Sequence, residues 1–167
     1  CLPETVMIVG CGGVGWWTAM QLGMIGVRYL ILVDHDRVEH SNLTRLPLSV
    51  RRDGGYDNKV YYLENALDHT WRSFVRETGR HESSIRERIQ DVIQNGLDYY
   101  LARHVLVDAV IDTTDDIPTQ QAIYDYATTI LSARYVRAGY DGGWHVSVSS
   151  RRSPDWEISD GRTAAYR

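Results

Sequence analysis

Short apolar runs alternate along the chain with longer stretches in which apolar residues recur at helical spacing. A short, wholly apolar run is typical of a strand buried on both faces of a parallel sheet, whereas the recurring pattern is typical of an amphipathic helix. The runs predict strands at Thr5–Val9, Val27–Val33, Val105–Ile111 and Arg134–Ala138, with a shorter, partly charged candidate at Ser84–Ile89. Alternating strands and helices favour an α/β fold with a doubly wound, mostly parallel sheet.

The helical pattern covers four stretches of the chain. They are Trp16–Met24, Asn58–Arg76, Asp91–His104 and Ile117–Leu131. Two further segments differ from both patterns. His40–Tyr56 lacks a clean period and contains proline and glycines, so we expect mostly loop. Trp144–Ser149 alternates between apolar and polar residues, which predicts an antiparallel or edge strand.

A glycine-rich turn joins the first predicted strand to the first predicted helix. Gly10, Gly12 and Gly15 fit the pattern G-x-G-x-x-G, which lets the backbone approach a phosphate at a helix N-terminus. Asp34 ends the second strand about 20 residues later, where an acid accepts hydrogen bonds from a ribose. The pair predicts a site for an adenine nucleotide. The alternative is that the glycines only permit close packing of helix on strand. Cys11, within the turn, is interpreted as a packing residue.

Further motifs follow in a fixed order. Residues 34–45 read DHDRVEHSNLTR, Lys59 comes next, and Asp112-Thr113-Thr114-Asp115 ends the Val105–Ile111 strand. With the glycine turn, these motifs resemble the E1-like activating-enzyme superfamily, which includes the ThiF, MoeB and HesA proteins. The resemblance covers about residues 5–149 and implies a Rossmann-like adenylation domain.

The resemblance also implies an activity and a set of site residues. Enzymes of this superfamily bind ATP and Mg²⁺ and activate the C-terminal carboxylate of a partner protein as an acyl-adenylate. By resemblance Asp34 holds the ribose, while Asn42 and Arg45 contact the phosphates. Lys59 places a positive charge on the phosphates, and Asp115 positions Mg²⁺. The catalytic residues implied are Arg45, Lys59 and Asp115. The cofactor-binding residues implied are Gly10, Gly12, Gly13, Gly15, Asp34, Asn42, Arg45, Lys59 and Asp115.

Each of these polar residues has a plainer alternative. Asn42 could cap a turn, and Arg45 and Lys59 could be solvated surface charges. Asp115 could be an acid favoured by the dipole at a helix N-terminus, which is also how we interpret Asp116. As an ordered set the residues favour the catalytic interpretation.

Composition narrows the class of protein. The chain has 167 residues, of which 43% are apolar and 24% charged, and its net charge is −4. This balance fits one globular domain over residues 1–167 and argues against nucleic-acid binding by general electrostatics. Its two cysteines exclude a disulfide framework and a four-cysteine zinc site within the chain, and neither matches the thioester position of the superfamily.

No apolar run approaches the length of about 20 residues that spans a bilayer, and no signal peptide opens the chain, so we expect a cytoplasmic protein without membrane contact. The chain opens on Cys1 and stops abruptly at Arg167, which suggests truncation.

The resemblance further implies partners. We expect a homodimer that acts on a small ubiquitin-like or sulfur-carrier protein ending in Gly-Gly. Asp141 and Trp144 either line the channel for that tail or belong to a β-turn. Trp16 and Trp17 are assigned to the core rather than to an interface. Two other functions stay open. The chain could be a non-catalytic nucleotide-binding subunit, or it could be an NAD-dependent dehydrogenase. The dehydrogenase interpretation gives no role to Asn42, Arg45, Lys59 and Asp115.

Overall fold

The computed structural model describes residues 2–47, 58–68, 106–140 and 146–150. Within these ranges the strands are β1 (Thr5–Val9), β2 (Tyr29–Val33), β3 (Ala109–Asp112), β4 (Arg134–Tyr140) and β5 (Val146–Ser150). They form one sheet in the order β2-β1-β3-β4-β5. The first four are parallel, and β5 runs antiparallel to β4 at the edge, as the alternating pattern predicts. The predicted elements Ser84–Ile89 and Asp91–His104 lie outside the described residues, as do Asp141 and Trp144.

The helices differ from the predictions mainly at their ends. They are α1 (Gly13–Met24), α2 (Lys59–Asp68) and α3 (Ile117–Asp125), which continues as a π-helical segment over Tyr126–Ile130. The expectation of a loop is wrong over His40–Thr44, which forms a 3₁₀ turn. A capping box between Glu39 and Asn42 stabilises the start of this turn. In the ranges that the structure describes, no helix combines the length and apolar character needed to cross a membrane.

Both faces of the sheet are covered. Side chains of a strand alternate between the two faces, so neighbouring residues enter different cores. One core joins the sheet to α1 and α2 through Val6, Ile8, Leu30, Leu32, Trp16 and Leu63. The other joins it to α3 and the π-helical segment through Met7, Val9, Val110, Tyr135, Ile123 and Ala127. The predicted doubly wound α/β fold is confirmed. Trp16 is buried as expected, but the core assignment of Trp17 is wrong, since 49% of this residue is exposed.

Candidate active site

The predicted site residues follow the carboxyl ends of three neighbouring strands. β1 runs into the glycine turn, β2 into Asp34, and β3 ends at Asp112. After β1 the chain crosses one face of the sheet as α1, and after β3 it crosses the opposite face as α3. The crevice between β1 and β3 is therefore the switch point of the sheet, where ligands of open α/β folds bind.

Two glycines of the turn are required by packing. Gly10 has a φ of +91°, in the left-handed region that residues with a Cβ rarely adopt. A Cβ on Gly15 would lie 1.8 Å from the carbonyl oxygen of Gly10, so no other residue fits there. At this pair the close packing that the alternative interpretation describes is observed.

The other two glycines face open space. A Cβ added to Gly12 or Gly13 would meet no atom within 4 Å. The first hydrogen bond of α1 runs from the Trp16 amide to the Gly12 carbonyl at 2.8 Å, so the N–H groups of Gly13 and Val14 precede the helical ladder. The first turn of α1 carries no acidic side chain. Open space, helical N–H groups and the helix dipole together make a cradle for an anion.

Asp34 ties the glycine turn to the end of β2. Its Oδ2 accepts a hydrogen bond of 2.6 Å from the Cys11 amide, and its Oδ1 accepts one of 2.8 Å from the Asp36 amide. Burial raises the pKa of Asp34, although the charge of Lys59 and these two amides act in the opposite direction. Each carboxylate oxygen has a second lone pair, so the arrangement is compatible with a ribose hydroxyl as a further donor. Cys11 is buried and packs in the core, as predicted.

Lys59 is the only lysine in the chain and begins α2. Its Nζ donates to Asp36 Oδ2 at 2.7 Å, and its amide donates to the Asp36 carbonyl at 3.0 Å. Burial lowers the pKa of Lys59, but the carboxylates of Asp34 and Asp36 outweigh it and hold this pKa above its ordinary value. Only 9% of the residue is exposed, so the surface-charge alternative is wrong for Lys59. The ion pair agrees with a structural role for Asp36.

The turn after β2 carries Asn42 and Arg45. Asn42 Oδ1 accepts a hydrogen bond of 2.8 Å from the Glu39 amide, so the capping alternative is observed. The carboxamide nitrogen of Asn42 can still donate to a ligand. Arg45 follows at the C-terminal end of the turn with an exposed side chain. Among the described residues, no side-chain hydrogen bond or ion pair joins Arg45 to Asp34 or Lys59.

The loop after β3 is held at both ends and exposes Asp115 between them. Before it, the Thr113 hydroxyl donates to the Gly10 carbonyl at 2.6 Å, which links this loop to the glycine turn. After it, Asp116 caps α3 by accepting a hydrogen bond of 2.9 Å from the Thr119 amide, as predicted for a helix acid. The sequence reasoning missed Thr113, since a contact between two loops leaves no local pattern.

One cluster of possible metal ligands was also missed. Asp34, His35 and Asp36 place ligand atoms within 4.8 Å of one another. Lys59 already supplies positive charge to the two carboxylates, and acidic clusters of this kind are common without a metal ion. Asp115 offers a further exposed carboxylate, on the loop that follows β3.

Comparison with known proteins identifies a family and several relatives that the chain resembles. The model of the family described as ThiF family matches residues 3–146. The adenylyltransferase and sulfurtransferase uba4 of Aspergillus clavatus is 32% identical over 125 residues, covering 75% of this chain and 23% of that protein. Ubiquitin-like modifier-activating enzyme 5 of Gallus gallus is 34% identical over 126 residues, covering 71% of this chain and 30% of that protein. The chain thus spans less than a third of the length of either curated relative.

A solved structure extends the comparison to the fold. The crystal structure of E. coli MccB with AMPCPP and MccA resembles this chain with a TM-score of 0.61 at 24% identity. The match covers 83% of this chain and 37% of MccB. Identity this low carries the fold alone.

Proposed function

The chain belongs to the ThiF family, and from that premise we propose that it is an ATP-dependent adenylyltransferase acting on the C-terminal carboxylate of a partner protein. The observation that carries the proposal is the open cradle beside Gly12 and Gly13, with Lys59 buried next to Asp34 and Asp36. The names of the curated relatives support the same activity.

The residues present suit a nucleoside triphosphate. The N–H groups at the start of α1 offer donors to phosphate oxygens, and Lys59 supplies a point charge. Arg45, at the end of its turn, supplies a planar guanidinium that can grip two phosphate oxygens at once. Asp34 offers carboxylate lone pairs to a ribose, and Asn42 offers its amide to the phosphates.

Asp115 would hold Mg²⁺ against the phosphates. Mg²⁺ prefers oxygen ligands and is commonly held by one or two carboxylates together with substrate phosphates, and Asp115 is exposed beside the crevice. When bound, the ion would neutralise charge on the triphosphate. The residues of the chain then have to position two anions, the partner's carboxylate and the α-phosphate, so that they can react.

The proposed reaction needs positioning and positive charge more than a base. A carboxylate oxygen of the partner attacks the α-phosphorus in line and forms a new P–O bond. The bond from the α-phosphorus to the bridging oxygen of the β-phosphate breaks, and pyrophosphate leaves with its electron pair. The attacking carboxylate is already ionised, so no proton has to move. Lys59, Arg45 and the N–H groups of α1 would stabilise the charge that develops.

The partner proposed is a small ubiquitin-like or sulfur-carrier protein that ends in Gly-Gly, and the active assembly proposed is a homodimer. The names of the relatives motivate the first part, since one is a sulfurtransferase and another activates ubiquitin-like modifiers. The domain proposed for this activity extends over residues 1–167.

Exchange of labelled pyrophosphate into ATP, with a sulfur-carrier protein ending in Gly-Gly as substrate, tests the activity. We expect Asp115→Ala and Arg45→Ala each to lower the exchange rate by at least about 100-fold, because the first removes the proposed ligand of Mg²⁺ and the second removes a positive charge that would stabilise the transition state. Matched controls are Asp125→Ala, an exposed aspartate at the far end of α3, and Arg28→Ala, an exposed arginine paired with Glu4. Wild-type exchange in Asp115→Ala contradicts the proposed role. Tight ATP binding with no exchange would indicate a non-catalytic subunit.

A further inference from the structure

A buried polar network lies behind the loop that carries Asp115. It centres on Asp112, which lies at the end of β3 and is fully buried. Asp112 Oδ1 accepts hydrogen bonds from the Thr114 amide at 2.9 Å and from the Thr114 hydroxyl at 2.7 Å. Asp112 Oδ2 accepts a third, of 2.8 Å, from the hydroxyl of Tyr135 on β4. One carboxylate therefore connects two strands to the loop.

Tyr135 contributes two separable contacts. Its ring packs edge to face on the ring of Tyr124 at a centroid distance of 5.2 Å, within the core under α3. Its hydroxyl donates a hydrogen bond to Asp112. Burial, together with the nearby carboxylate of Asp112, raises the pKa of Tyr135, so the hydroxyl keeps the proton that it donates. Because Phe could supply the ring packing, the hydroxyl is the part of Tyr135 that the core does not require.

Gln120 holds the same loop from the other side. It lies in the first half of α3, is 2% exposed, and donates from Nε2 to the Thr114 carbonyl at 2.5 Å. Its own Oε1 is buried and accepts no hydrogen bond from the residues that the structure describes. Only the nitrogen of the amide can donate to the Thr114 carbonyl, so this contact sets the orientation of the Gln120 side chain.

Thr114 is thus held at both of its backbone polar groups. Asp112 holds its N–H and Gln120 holds its carbonyl, which belongs to the peptide bond that leads into Asp115. Asp116, directly after, is fixed as the cap of α3. The exposed carboxylate of Asp115 therefore stands on a backbone whose direction is determined on both sides by buried groups.

We infer that Tyr135 and Gln120 are positioning residues for the cation bound with the nucleotide: acting through Asp112 and Thr114, they fix the backbone from which Asp115 presents its carboxylate. This inference rests on the proposed function, because it takes Asp115 as the residue at the cation. The groups that orient a metal ligand typically change metal affinity by about 10–100-fold when they are removed.

The test measures the coupling between Mg²⁺ and nucleotide, with AMPCPP as the probe. Calorimetric titration gives the Kd of AMPCPP in Mg²⁺ and again in EDTA, and the ratio of the two is the Mg²⁺ enhancement. In the wild type we expect a clear enhancement, and in Asp115→Ala we expect none. Tyr135→Phe, which deletes only the hydroxyl, should lower the enhancement about 10-fold and leave the Kd in EDTA unchanged. Gln120→Met, which removes the donor at similar volume, should act in the same direction.

Tyr124→Phe is the matched control, because it removes a hydroxyl from the same aromatic pair and leaves Asp112 untouched. We expect it to keep the wild-type enhancement. A loss of the enhancement in Asp115→Ala that neither Tyr135→Phe nor Gln120→Met shares overturns the inference and leaves the proposed function standing. An enhancement that survives in Asp115→Ala overturns both the inference and the proposed role of Asp115 at the cation. If Tyr135→Phe fails to fold by circular dichroism, the result for Gln120→Met decides.

Discussion

The candidate site has two parts that differ in the burial and the contacts of their residues. The built part consists of Gly15, Asp34 and Lys59, which are buried and engaged with other groups of the chain. The open part includes Arg45 and Asp115, whose side chains are exposed, and Gly12, beside which space is left free. Residues that look equivalent in the sequence motifs therefore divide into buried residues that support the fold and residues on exposed positions beside open space.

This difference determines what a substitution should do. Changes in the built part should lower both stability and nucleotide affinity, because the same contacts support the turn and shape the cradle. Changes in the open part should lower affinity or rate while the melting temperature stays close to that of the wild type. Stability and binding measured on the same variants therefore test the division directly.

The largest contrast is expected between two glycines of one turn. Gly15→Ala places a Cβ 1.8 Å from the Gly10 carbonyl oxygen, so the backbone must move. Overpacking of this kind costs about 1–3 kcal/mol and occasionally more, and we expect Gly15→Ala at or above the upper end. Gly12→Ala meets no atom and should keep the wild-type melting temperature, yet it should weaken ATP binding because its methyl group enters the phosphate cradle. Thermal melting and calorimetry check both variants, and equal melting temperatures would remove the distinction.

A smaller effect on stability is expected for Lys59→Met. The substitution keeps the apolar stem of the side chain and removes the ammonium group that neighbours the carboxylates of Asp34 and Asp36. Asp36 is half-exposed, so water compensates in part, and we expect a loss of about 1–2 kcal/mol in denaturant unfolding. ATP affinity should also fall, as it should not in Arg28→Ala. Full stability together with full ATP affinity in Lys59→Met would exclude Lys59 from the built part.

The smallest expected effect is on the pH dependence of stability. Burial raises the pKa of Asp34, so the folded chain holds this proton more tightly than the unfolded chain does. The contribution of Asp34 to stability is therefore largest below its ordinary pKa of about 3.9 and declines as pH rises through the raised folded value. Subtracting the pH profile of Asp34→Asn from that of the wild type isolates this group. The difference should shrink as pH rises through that window; a difference that grows would mean that the amides of Cys11 and Asp36 and the charge of Lys59 outweigh burial.

Much of the fold could be predicted from the sequence, because buried strands leave apolar runs. The bounds of β1 were predicted to the residue, and β5 was placed within two residues at each end. The 3₁₀ turn at His40–Thr44 was missed, since its cap depends on a local side-chain geometry that residue types alone do not reveal.

The site was predicted as a set of residues but not as an arrangement. The motifs placed Asp34 and Lys59 in one site, while their burial depends on how the start of α2 meets the segment after β2. Tyr135 was not singled out, because its contact with Asp112 depends on the register between β3 and β4. Charges 23 residues apart, such as Asp36 and Lys59, pair only once the fold is formed.

We propose that ATP binds together with Mg²⁺ in the crevice at the ends of β1 and β3. Calorimetric titration of the purified chain with ATP in Mg²⁺, and separately with NADH, is the most direct test. We expect saturable ATP binding that weakens in EDTA and in Asp115→Ala, with no binding of NADH. Binding of NADH without binding of ATP would contradict it and would indicate a dinucleotide site, as in NAD-dependent dehydrogenases.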